Sequence, residues 1–574
     1  VFRNRSRLFA AALCLGMAPA AVLGGNAGTY LAGRVAGMEA DHARAAEYFT
    51  RALALDARNP GLMELALTAQ VNLGDFDGAA AIMRRMQVLG LDANLMDIVE
   101  LVDWMDSEDY AALREALGGG DFHLGDLLDG FLDQLVTGWA ELGAGDGEAA
   151  IATFDEAAAE PMLRGVVLYH KALALAVSGD YEGAEALLSG ASEGPLPLLG
   201  RGLRLRAEVQ SQLGHYDQAL QLLDEAYDGA VAPQMSDIVA RLQAGEPVPL
   251  SIANARQGIA EAFYTMAQVL YGQAGNSLSL VYAQVARELN PDHVDALLMV
   301  ASIFDEQANY DLAGDLYDKV PRDHPAYLQA EFGRANALRY AGRKDAAIEV
   351  LNQLSKTYPD LMDVQVSLGD ALSSDERWEA ARAAYDRAVA LIEEPIQADW
   401  QLFYARGITL ERLKLWPEAE ADLRHALELS PDEPRVLNYL GYSLVERRES
   451  LDEALDMIRK ASEQRPEDGY ISDSLGWVYF RLGRYEEAVA PMESAAEIMA
   501  IDPVINDHLG DVYWAVGRKL EAQFMWRRAL SFTDYGSSNE EVDPARIRRK
   551  LEVGLDKVLA EEGAEPLGTN SEGN

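Results

Sequence analysis

The sequence predicts an all-α protein, a solenoid of stacked antiparallel helical hairpins. Composition is the first indication: 49% of the 574 residues are hydrophobic. Ala and Leu, both strong helix formers, dominate that share, and runs of strand-type Val, Ile and Thr are scarce. The second is a repeat. Alanine recurs at Ala313, Ala347, Ala381, Ala419, Ala454, Ala488 and Ala522, in steps of 34, 34, 38, 35, 34 and 34. A small residue keeps the same phase at Ala301, Ala335, Gly369, Gly407, Gly441, Gly476 and Gly510, and prolines close units at Pro291, Pro325, Pro359, Pro431 and Pro466. The third is size, since a unit this short cannot bury its apolar face alone and has to lean on its neighbours.

Taken from the N-terminus, residues 1–25 read as an export signal. Arg3, Arg5 and Arg7 precede the apolar run 8–23, and Ala18-Pro19-Ala20 offers a small-x-small cleavage pattern. Pro19 and the shortness of the run favour cleavage over a retained anchor. Cys14 is the single cysteine, and the bulky Leu13 before it argues against lipidation. Once the signal has been removed, no thiol is left for a disulfide or a cysteine metal site.

Residues 26–228 read as degenerate helical repeats. Gly33, Ala45, Phe49 and Ala52 fit one unit, and Leu73 to Phe76 with Ala79, Met83 and Met86 fit the next. Later units centre on Ala150 with Phe154, Ala184 with Leu188 and Ala219 with Leu223, whereas 91–129 departs from the pattern. Pro233, Pro247 and Pro249 interrupt any helical period over 229–252, which is expected to be an irregular break between two blocks.

From 253 to 532 the array is regular. In 400–433, Phe403, Gly407 and Leu410 share one helix face, Trp416-Pro417 opens a second helix, Ala419, Leu423 and Ala426 give it an apolar side, and Pro431 ends it. Residues 540–560 read as a helix covering the end of the stack, and 561–574 as a polar disordered tail.

The motifs Leu440-Gly441, Leu444, Ala454, Ala461 and Pro466, then Leu475-Gly476-Trp477, Tyr479, Tyr485, Ala488 and Ala495, then Leu509-Gly510, Tyr513, Ala522 and Ala529, resemble the tetratricopeptide repeat family. The stretch 439–530 is similar to the C-terminal repeats of exported multi-repeat proteins of Gram-negative bacteria. The resemblance implies a TPR-type superhelix of roughly a dozen hairpins. It also implies that the second, fifth, ninth and twelfth places of each first helix line a concave groove. Those places hold Arg435, Asn438, Tyr442 and Val445, then Tyr470, Asp473, Trp477 and Phe480, then Val504, Asp507, Asp511 and Trp514, with Tyr404 upstream. Aromatic side chains there are candidate anchors, Asn and Asp candidate partners for a peptide backbone or basic groups. The same tryptophans also fit packing between repeats.

A net charge of −44 repels phosphate and anionic lipid, which disfavours a nucleic-acid or membrane-surface role. No phosphate loop, His-Glu-x-x-His or Gly-x-Ser-x-Gly occurs, and the eight histidines never take metal-ligand spacing. No cofactor, metal or catalytic residue is therefore expected. The 44 residues after Leu530 are too few for the α/β domain that repeat-bearing glycosyltransferases need. The basic cluster Arg546, Arg548, Arg549 and Lys550 reads as a solvated helix face.

The expectation is a non-enzymatic, periplasmic scaffold that binds envelope proteins in its groove. The alternatives are an envelope polysaccharide-handling module or a regulatory subunit of a membrane-associated enzyme. The latter calls for anchoring through an uncleaved signal or a lipidated Cys14.

Overall fold

The computed structural model describes residues 24–93, 95–125, 130–194, 200–227, 235–272, 276–533, 542–564 and 566–567. The expected signal lies outside them up to position 23, Cys14 included, as do 229–234 of the expected break and most of the tail. The described residues form 31 α-helices and no strand, and no helix among them is long and apolar enough to cross a membrane. The chain divides into two compact units, Val1–Val350 and Leu351–Asn574. The division thus falls a hundred residues beyond the stretch that sequence reading marks as a break.

In the second unit five hairpins follow one another: Met362–Ser374 with Trp378–Ala390, Trp400–Arg412 with Trp416–Leu429, Pro434–Arg447 with Leu451–Gln464, Gly469–Arg481 with Tyr485–Ile498, and Pro503–Ala515 with Lys519–Phe532. Their starts follow local chemistry. Asp468 accepts hydrogen bonds from the Tyr470 and Ile471 amides and Asp502 from those of Val504 and Ile505, while Pro434 and Pro503 occupy first-turn positions where no amide is needed. Two short helices, Pro544–Val553 and Leu555–Glu561, close the unit. Gly554, at φ +85°, separates them where a single helix is expected.

Inside each hairpin the glycine of the first helix receives a large side chain from the second. Gly369 faces Tyr385, Gly407 Leu423, Gly441 Ile458, Gly476 Met492 and Gly510 Trp526. A Cβ at Gly441 would lie 2.7 Å from Ile458 Cγ1 and 3.2 Å from the Ala454 carbonyl oxygen. The phased alanines close the other side of the contact, and Ala381, Ala419, Ala454, Ala488 and Ala522 are all fully buried.

The first unit opens with the same hairpin geometry, Gly33 facing Phe49 and Gly138 facing Phe154. It then departs from a simple array. Helices Ala255–Leu270 and Ser277–Leu289 pack across earlier hairpins, the former on Phe131–Gly143 and Arg164–Val177, the latter on Pro60–Leu73 and Met96–Asp106. Their residues are buried almost all round, the mark of a core helix. Polar contacts fix the register. Tyr282 Oη donates to the Leu124 carbonyl at 3.1 Å, Gln284 Nε2 to that of Asn72 at 3.0 Å, and Asn309 Nδ2 to that of Ala40 at 2.7 Å.

The return is prepared within 235–252, which is partly helical, Ser236–Gln243. Its irregular part is pinned by side chains of helix Arg201–Gln212: Val248 N donates to Ser211 Oγ at 2.9 Å, Gln212 Nε2 to the Val248 carbonyl at 2.7 Å, and Ser251 N to Glu208 Oε2 at 3.0 Å. The backbone groups that the prolines deny a helical partner are satisfied in this way.

Gly441→Leu is expected to lower stability by about 1–3 kcal/mol through overpacking. An earlier denaturant midpoint with unchanged slope is the readout.

Candidate functional site

In the second unit, first helices of successive hairpins touch one another and second helices do so only sparsely, so the first helices form the inner layer. From the second hairpin onward, donor–acceptor bonds run along that layer from one hairpin to the next. Tyr439 Oη donates to Glu411 at 3.3 Å, Trp477 Nε1 to Glu446 at 2.7 Å, and His508 Nδ1 lies 3.1 Å from both Asp473 oxygens. The last step joins Pro503–Ala515 to the closing helix. Lys550 Nζ, fully buried, sits 2.7–2.9 Å from all four oxygens of Asp507 and Asp511, and Trp526 Nε1 donates to Asp511 at 2.8 Å.

Sequence-singled residues therefore separate into two sets. Trp477 is 9% exposed, sandwiched between Phe480 (4.9 Å, 8°) and His508 (4.0 Å, 12°). Asp473 and Asp511 are buried and paired, Val445 and Val504 are buried, and Trp514 Nε1 donates to Asp556 at 2.8 Å beneath the closing helices. These side chains join repeats, and a ligand-facing role for Trp477, Asp473, Asp507, Asp511 and Trp514 gives way to that packing. The basic cluster is a solvated face only in part: Arg548 is exposed, Arg546 and Arg549 are half-buried and paired, the one with Glu562 at 2.8 Å and the other with Glu561 and Glu552, and Lys550 is interior.

The second set keeps a surface. Tyr470 is 56% exposed and Arg435 is exposed, its guanidinium 4.9 Å above the Trp400 ring. Tyr404, Tyr442 and Phe480 are half-buried, and Asn438 Oδ1 lacks a hydrogen-bond donor. These residues fall on three consecutive hairpins.

Burial alone would push the His508 imidazole down, but Asp473 in contact, with Asp507 and Asp511 behind, overrides it and holds His508 at about 8. Asp507 moves up because burial and the Asp511 charge outweigh the pull of Lys550.

The first unit holds a second constellation, one that sequence reading missed because its members are spread over more than a hundred residues without a motif. Glu261, on the buried return helix, takes Arg201 Nε at 2.7 Å and Nη2 at 2.5 Å, the Tyr169 hydroxyl at 2.8 Å and His293 Nε2 at 3.1 Å. Burial would raise its carboxyl, yet Arg201 and His293 hold it well below the usual range. Beside it opens a cavity of about 620 Å³, with Arg201, Arg204, Asn290, Asp292, Asp295 and His324 in its wall. Deeper in the unit, Trp139 Nε1 donates to His170 Nδ1 at 3.1 Å, and burial lowers His170 to about 4.

Models described as Tetratricopeptide repeat match residues 332–401, 404–468 and 440–503, and in the first unit 165–189 and 200–225. The chain carries tetratricopeptide repeats over these stretches. A TPR repeat-containing protein of Pseudomonas aeruginosa is 32% identical over 164 residues, 28% of this chain and 27% of that protein. The Lipoprotein NlpI homolog of Haemophilus influenzae is 38% identical over 88 residues, 15% of this chain and 27% of that one. The chain thus spans about a third or less of the length of the curated relatives it matches. Among solved structures, the APC/C hetero-tetramer Cut9–Hcn1 has a TM-score of 0.37 at 14% identity, over 93% of this chain and 97% of that one.

Two outcomes follow from the inner layer. A raised histidine pKa stabilises the fold fully below about 6.5 and loses that contribution as pH rises through about 8, worth about 2 kcal/mol here. The melting temperature of the parent should fall over that window more than that of His508→Gln. Lys550→Met leaves two carboxylates buried without their cation, a loss of about 3 kcal/mol, read as faster hydrogen exchange over 542–564.

Proposed function

We propose that this chain is a non-enzymatic scaffold of the bacterial cell envelope that holds segments of partner proteins on the inner layer of its second unit. Tetratricopeptide repeats are interaction modules, and the exposed inner-layer residues have the chemistry of one. Tyr470 offers an aromatic anchor and Arg435 a cation. The observation that carries the reading is the exposure of Tyr470, a large ring standing 56% in solvent on a layer whose other aromatics are mostly covered.

In the first unit helices Ala255–Leu270 and Ser277–Leu289 cover the first helices Pro60–Leu73, Met96–Asp106, Phe131–Gly143 and Arg164–Val177, which favours the inner layer of the second unit for this partner. The envelope setting rests on the signal-like N-terminus and on the Haemophilus relative, whose name calls it a lipoprotein homolog. The partner segment is expected to be basic or neutral, given the charge of −44.

Affinity capture from the native envelope tests this. Arg435→Ala with Tyr470→Ala should lose partner recovery by about tenfold or more at unchanged circular dichroism. Equal recovery by parent and variant would sink the assignment.

A further inference from the structure

We propose that the cavity of the first unit is a binding site for a short peptide segment presenting a guanidinium or alkylammonium side chain. The cavity forms where six pieces of chain converge: the start of Arg201–Gln212, Tyr227, Met235, residues 251–252, the turn 290–295 and the turn 324–326. Its volume of about 620 Å³ lies within the range of ligand sites and exceeds the need of one side chain.

Charge selects the guest. Each wall arginine is neutralised from behind by a buried glutamate, Arg201 by Glu261 and Arg204 by Glu208, the latter at 2.9 Å. Asp295 also meets Arg201, yet its side chain stays 46% exposed, and Asp292 is exposed beside it. With the arginine–glutamate pairs cancelled, those two carboxylates remain. The helix starts at Arg201, Ser236, Val294 and Tyr327 bring roughly half a positive charge each, less than Asp292, Asp295 and Asp237, the last 3.6 Å from Arg204, supply together. His324 adds a donor and no charge. Its Nδ1 accepts from the Ala326 amide at 3.1 Å, which leaves the ring proton on Nε2, and burial lowers its pKa. A cation is favoured at the mouth, an anion repelled.

A separate observation points to an amide-bearing guest. Asn290 is 6% exposed, lies in the cavity wall, and its carboxamide makes no hydrogen bond to the described residues. Set in the cavity wall, the carboxamide presents both a donor and an acceptor, the complement of a peptide group. The surroundings are set for recognition, since His293 is fixed at both nitrogens, by the Ala296 amide and by Glu261, each at 3.1 Å.

Titration calorimetry on the full chain at low salt tests the site. The probes are acetyl-Gly-Arg-Gly-amide, its Gly-Glu-Gly counterpart and spermidine. The arginine peptide should bind saturably and more tightly than spermidine, and the acidic peptide should give no saturable heat. Asp292→Asn with Asp295→Asn should weaken the arginine peptide by about tenfold. Asn290→Ala should weaken that peptide while leaving spermidine unchanged. Asp292→Asn alone, which touches no described ion pair, keeps the test readable should the double variant unfold. Absence of saturable cation binding at millimolar concentration overturns the proposal. So does tighter binding of spermidine or of the acidic peptide, or parent-like affinity in folded Asp292→Asn with Asp295→Asn.

Discussion

Close approach of the two helices in a hairpin is the constraint on which the rest of this protein depends. A glycine on the first helix leaves a hole, and a large side chain of the second fills it, as Phe154 does at Gly138 and Trp526 at Gly510. Without a side chain on one wall, the helices pack at a distance at which dispersion contacts are dense. The buried alanine twelve or thirteen residues on, such as Ala454 or Ala522, keeps the other wall equally low. A hairpin of this geometry still shows an apolar flank, which the next hairpin covers.

Stacking places first helix beside first helix, and this neighbourhood decides the fate of the polar side chains there. Trp477 finds Glu446, His508 finds Asp473, and Lys550 finds both Asp507 and Asp511. A polar group held between layers must be satisfied, so these residues are committed to the stack. The closing helix obeys the same rule, since its lysine answers two carboxylates that would otherwise face the end of the array. What remains for a partner is the smaller set that still reaches solvent, Arg435 and Tyr470 foremost.

The first unit shows how the same hairpins make a different object once a pair of helices is apolar on nearly all sides. Helices Ala255–Leu270 and Ser277–Leu289 have no solvent face to offer, and they lie across hairpins from much earlier in the chain. Glu261 is carried inward on the first of them, and Arg201, His293 and Tyr169 gather around it. A buried carboxylate requires such company, and the arrangement brings Asn290, Asp292 and Asp295 to one rim.

The sequence by itself determined that the chain is helical, that its hairpins recur every 34 residues or so, and which glycines and alanines meet within each, because those facts rest on local propensity and short-range periodicity. It named the inner-layer positions through the family resemblance but did not divide them. Trp477 and Tyr470 sit seven residues apart on one helix, and only the presence of His508 beside one and solvent beside the other separates an internal brace from an exposed ring. The doubling back of 255–289, the interior place of Lys550 and the Asn290 cavity were decided by tertiary structure alone. Each joins residues tens to hundreds of positions apart, and no period in a linear sequence records which distant surfaces come together.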